Sequence, residues 1–83
     1  MYTFINARQT SITKSTNISF TKYRLIAVTI FESRNVNNDS YNEISSLVTY
    51  TNESNKQFYY KVTLKSSISY NTRIGVYISY SPK

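Results

Sequence analysis

Apolar and polar residues alternate along much of this chain, and one stretch breaks the rule. In Leu25-Ile26-Ala27-Val28-Thr29-Ile30-Phe31 the apolar residues run on without a polar partner at alternate positions. Such a run, rich in β-branched residues, predicts a central β-strand covered on both faces rather than a helical turn. Its seven residues fall well short of the roughly 20 apolar residues a membrane-crossing helix needs.

The remaining segments predict weaker, half-apolar strands around it. Residues 1–16 form a first strand at Tyr2–Asn6, or an arm, followed by a polar segment holding Ile12 and Lys14, which suits an edge strand. Ile18 and Phe20 share one parity, whereas Tyr23, Leu25, Ala27 and Phe31 fall on the other. Strict alternation of side chains makes that change a turn or bulge at Thr21-Lys22, with a new strand over residues 23–33. After a polar loop over 34–42, residues 41–48 carry two patterns. Ser40 and Glu43 have capping-box spacing, and Tyr41, Ile44, Leu47 and Val48 fit one helix face. The preferred alternative is a strand over 47–51 with Val48 and Tyr50 inward.

The C-terminal third alternates clearly. Phe58, Tyr60, Val62 and Leu64 oppose Tyr59, Lys61, Thr63 and Lys65; Ile74, Val76, Ile78 and Tyr80 oppose Arg73, Gly75, Tyr77 and Ser79. Each set predicts a strand with one buried and one wet face. A tight connection at residues 70–73, with Asn71 in the strained position, would join them as a hairpin. The expected fold is therefore all-β. It is one domain over 1–83, a small antiparallel β-sandwich or barrel of six or seven short strands, with the one short helix at 41–48 as the variant reading.

Composition narrows the picture. The chain holds nine Tyr, four Phe and nine Ile against only three Leu, and 32 of its 83 residues are Ser, Thr or Asn, a mixture suited to pleated sheets. With no cysteine and no histidine, neither disulfides nor a Cys/His zinc site can reinforce a thin core. Gly75 is the only glycine, so phosphate-cradling loops are excluded and left-handed turn positions fall to Asn and Asp, in the clusters at 35–40 and 52–55. No basic region followed by an apolar run marks the N-terminal residues as a secretion signal, so cytoplasmic synthesis, and from there a virion, is the expected location.

Catalysis is poorly supplied. Acid-base and nucleophilic chemistry commonly draw on His, Cys or tuned carboxylates, and the four acids are Glu32, Asp39, Glu43 and Glu53. Asp39 and Glu43 could pair as glycosidase carboxylates or calcium ligands, but solvated loop charges are the simpler expectation. No enzyme activity, cofactor, metal site, small-molecule substrate or membrane partner is expected.

Two surface patterns remain. Tyr59, Lys61, Lys65, Arg73 and Tyr77 line the outward positions of the last two strands, and interleaved aromatic and basic residues on a sheet suit single-stranded nucleic acid. Outer faces rich in Ser, Thr, Asn and Tyr, with little charge to repel a neighbour, also suit protein docking, for which Tyr is a favoured residue, while the net charge of +6 serves solubility first. The leading expectation is a non-enzymatic structural or interaction module that forms a homo-oligomer or docks on a protein scaffold, such as a capsid accessory protein of a virus or phage. Those five residues would be its contact surface, and Tyr2, Phe4 and Ile5 an arm exchanged with a neighbour. A single-stranded nucleic-acid-binding β-barrel is the alternative.

Overall fold

The computed structural model describes residues 1–83. Six strands form: β1 (Tyr2–Ile5), β2 (Ser11–Ser19), β3 (Tyr23–Asn35), β4 (Ile44–Asn52), β5 (Gln57–Leu64) and β6 (Thr72–Pro82). They divide into two three-stranded antiparallel sheets, ordered β1-β6-β3 and β2-β5-β4, packed as a small β-sandwich. β3 has 13 residues and a reach of about 40 Å; it runs the length of a molecule 42 Å long. No helix is long and apolar enough to cross a membrane.

The core lies between the two middle strands. Tyr60, Val62 and Leu64 of β5 face Ile74 and Val76 of β6, and β1 adds Ile5. Ile12, Val28, Ile30, Ile44, Leu47 and Ile78 pack around them, half-buried. The alternation expected for β5 and β6 is thus realised over residues 60–64 and 74–78, where each central strand has a covered inner face, whereas Tyr80, expected on the buried side, is exposed near the end of β6.

The expected two-sided burial of residues 25–31 is not. β3 is an edge strand, with β6 on one side only. Leu25, Val28 and Ile30 turn inward, while the register slips at Ile26 and again at Phe31. These two bulge residues interrupt the alternation, and both are exposed. The uninterrupted apolar run is therefore one inward face plus two bulge residues, not a strand covered on both sides.

The helix at 41–48 does not form. Ser40 bonds Asn38 through its hydroxyl and Glu43 pairs with Lys65, so the two capping-box residues are engaged elsewhere. Leu47 lies opposite the buried Val62, which places Val48 and Tyr50 on the outer face rather than inside. The β5–β6 hairpin is also absent, since the two strands belong to different sheets and residues 65–71 carry the chain across. Asn71 is not at a left-handed position; its Oδ1 accepts the Ala7 amide instead.

Asn-rich clusters do make the turns. Asn35 Oδ1 accepts from Asn37 N–H and Asn38 Oδ1 from Ser40 N–H in one loop, and Asn52 Oδ1 accepts from Ser54 N–H in the β4–β5 hairpin. These side chains mimic backbone turns. Left-handed φ occurs at Asn17 (62°) and Asp39 (60°), as residue type suggests, but also at Arg8 (69°) and Lys56 (59°).

Candidate protein-docking face

The outer face of the β1-β6-β3 sheet is built by alternation. Burying Thr3 and Ile5 turns Tyr2 and Phe4 outward, and burying Ile74 and Val76 does the same for Arg73, Gly75 and Tyr77. Register then sets neighbours. Tyr2 lies opposite Gly75, Phe4 opposite Arg73, and Glu32 opposite Gly75 from the other side. At the bulge, Phe31 joins Glu32 on this face, with its ring over Gly75.

A connected cluster results. The Phe31 and Tyr2 rings meet edge to face with centroids 5.9 Å apart. The Arg73 guanidinium lies 5.4 Å from the Tyr2 ring centre and donates from Nε to Glu32 Oε2 at 2.6 Å. That hydrogen bond and the carboxylate's charge raise the Arg73 pKa further, so the side chain is a fixed cation. Glu32 is shared with Arg34 at 3.6 Å, and Arg34 reaches Asp39 at 3.7 Å. Around this polar seam stand four exposed aromatic residues: Tyr2 (57%), Phe4 (45%), Phe31 (56%) and Tyr77 (63%). Beyond Phe31, Arg34, Asp39 and Tyr41 rim a notch of about 280 Å³.

The five residues expected to form one contact surface are not brought together. Arg73 and Tyr77 belong to the face just described, whereas Tyr59, Lys61 and Lys65 point outward from the opposite layer of the sandwich. There Tyr59 packs on Tyr50 with centroids 5.8 Å apart and accepts a hydrogen bond from Asn55 Nδ2 at 2.7 Å. Lys61 lies between Thr13 and Val48, and Lys65 is 3.5 Å from Glu43. The expected arm divides as well. Tyr2 and Phe4 contribute to the aromatic face, while Ile5, 1% exposed, is part of the core.

Phe31 is the member that sequence reasoning missed, because periodicity assigned it to a covered strand. The only glycine, in the middle of β6, was the available signal: a glycine inside a strand often marks a close approach by a neighbour.

The acids do not gather. Asp39 and Glu43 face different cations, and no three His, Cys, Asp or Glu side chains are grouped as metal ligands. All four carboxylates are ion-paired, with Arg34, Lys56, Lys65 and Arg73. The net +6 charge is then carried by Arg8, Lys14, Lys22, Arg24, Lys61 and Lys83.

Together these features define a small antiparallel β-sandwich with an aromatic outer face. Comparison with known protein families, curated proteins and solved structures finds no match for this chain.

Proposed function

We propose that the protein is a non-enzymatic assembly module that packs against protein, either copies of itself or a larger scaffold, through the outer face of the β1-β6-β3 sheet. The observation that carries this reading is the exposed cluster of Tyr2, Phe4, Phe31 and Tyr77 around the Arg73–Glu32 pair. Aromatic residues and Arg are the groups enriched where proteins bind one another, and contiguous exposed apolar surface marks such sites. A capsid accessory or cementing subunit is a setting that suits a small module of this kind.

The nucleic-acid reading relied on one basic and aromatic surface, whose residues here occupy opposite faces, with Lys65 and Arg73 engaged by acids. No specific observation favours it.

Light scattering behind a sizing column, after nuclease treatment and at two salt concentrations, tests the proposal. An oligomer present at both salts, with its largest species lost in Tyr77→Ala and Phe4→Ala, is the expected result. Wild-type assembly by both variants would mean that this face is not the contact.

A further inference from the structure

We infer that two copies of the chain join along the free edge of β3, antiparallel and about a two-fold axis, into one continuous six-stranded sheet. This deepens the assembly reading and rests on it, by naming the partner as a second copy and assigning the edge through which it binds.

The ladder between β3 and β6 decides which backbone groups of β3 lack partners. In an antiparallel ladder, successive residues alternate between bonding the neighbour strand and pointing away. Both ends of β3 fix that alternation. At one end the Lys83 amide bonds the Lys22 carbonyl, so residue 22 points toward β6. At the other, the Val36 amide bonds Asn71, whereas Ser33 and Asn35 bond the 40–42 loop on the opposite side. Carrying the alternation inward through the bulges at Ile26 and Phe31 leaves Tyr23, Leu25, Val28 and Ile30 with amides aimed at the open edge.

This set is self-complementary. Turned antiparallel onto itself, Tyr23 meets Ile30 of the second copy and Leu25 meets Val28, and symmetry repeats both pairs. The bulge at Ile26 breaks the ordinary two-residue spacing, so only this register matches all four positions. It also places each bulge opposite the other.

The charges agree with that register. Leu25–Phe31 carries none. Arg24 falls opposite Thr29 of the second copy, and Lys22 opposite Phe31, one residue from Glu32. No like charges are opposed. Edges normally carry charge to prevent such pairing, and here the middle of the stretch holds the exposed, uncharged Ile26 (66%) instead. The β4 edge is also uncharged, but Lys65 N–H bonding Glu43 C=O sets its outward amides at Ile44, Leu47, Thr49 and Thr51. With its bulge off centre, any two-fold register matches at most three of these.

The chain has no cysteine, which permits a test without background. In the double variant Arg24→Cys, Thr29→Cys, the two thiols of one chain lie about 16 Å apart along the strand, too far to bridge, whereas each faces its complement in the second copy. Oxidation is expected to give a covalent dimer. In the reduced protein, Thr29→Lys, which opposes Arg24 twice per dimer, is expected to weaken dimerisation roughly tenfold, and Thr29→Glu to strengthen it. Thr29 is exposed, so neither change disturbs the core. Absence of a cross-linked dimer, or equal dimerisation by the Lys and Glu variants, overturns the inference. If that happens while Tyr77→Ala still disrupts a wild-type oligomer, the outer-face reading survives alone. A cross-linked dimer whose larger assemblies ignore Tyr77→Ala leaves the edge and removes the face.

Discussion

The ring of Phe31 fills the space that a side chain at Gly75 would need. A Cβ on Gly75 would lie 2.6 Å from Phe31 Cε2, 2.8 Å from Cζ and 2.9 Å from Glu32 Cβ. Gly75 has no positive φ, so its role is clearance rather than backbone freedom. This one contact seats the bulge ring on the sheet and lets it reach Tyr2. Gly75→Ala is therefore expected to destabilise by about 1–3 kcal/mol, the cost of overpacking. Without the ring, only the contact with Glu32 Cβ at 2.9 Å remains, so the same change is expected to cost less in a Phe31→Ala background. Urea denaturation of Gly75→Ala in wild-type and Phe31→Ala backgrounds separates the two. Equal effects in both would mean that the ring is not what the glycine accommodates.

Thr16 carries a different burden. Its hydroxyl donates to the Phe58 carbonyl at 2.8 Å and accepts from the Ile18 amide at 3.1 Å, across the irregularity where Asn17 turns left-handed. The residue is buried, so Thr16→Val keeps the shape and strands both partners. The expected loss is about 1–3 kcal/mol, the desolvation penalty of an unmet buried polar group. Thr21→Val, at an exposed turn, serves as the control. A Thr16→Val protein as stable as that control would show that the bulge does not depend on this hydroxyl.

The strands themselves were legible because their causes are local. Alternation at residues 58–64 and 74–80, and Asn-rich turns at 35–40 and 52–55, specify β5, β6 and two turns without reference to anything distant. The change of parity at Thr21-Lys22 likewise marks the real turn between β2 and β3. What failed is what depends on neighbours. A run such as 25–31 has the same composition whether it is flanked on two sides or on one, and only strand order makes β3 an edge. Strand order also decided the candidate surface. Placing β5 and β6 in one hairpin puts Lys61 and Tyr77 together, whereas placing them in different sheets puts the sandwich between them.

Alkaline pH bears on the core through Tyr60. Burial disfavours the phenolate, so its pKa in the folded protein is raised above the usual value of 10.0. Above pH 10.0 the unfolded chain releases this proton first, while the folded chain still holds it. Bound protons then favour the folded state less as pH climbs, and stability falls from there toward the raised pKa. Below that window the group contributes its full share. Tyr60→Phe removes this part of the dependence. Its stability at pH 7 is expected to change by no more than about 1 kcal/mol, because the hydroxyl's only partner is Met1 Sδ at 3.9 Å. Denaturation of both proteins at pH 8 and pH 11 is the check. An identical decline in each would exclude Tyr60 as a source of alkaline sensitivity.

The two ends of the strand order in the β2-β5-β4 sheet are not equally protected. Lys14 is in register with buried Tyr60, so its side chain leaves β2 on the inward side while its charge stays in solvent. An inward-directed charge on an edge strand opposes pairing with a second chain, because continuing the sheet would enclose the ammonium group. Lys14→Val keeps a β-compatible side chain and removes that penalty. Its fold is expected to be as stable as the wild type or more so, since the new side chain can cover apolar surface near Met1 and Tyr60. Its association is expected to change in kind. With β3 available on one sheet and β2 on the other, each copy would have two adhesive edges, and a closed dimer would give way to open chains. Light scattering across a concentration series distinguishes these cases. Mass growing without limit in Lys14→Val but reaching a plateau in the wild type is the expected pattern. Superimposable curves would show that β2 is kept apart by something other than this lysine.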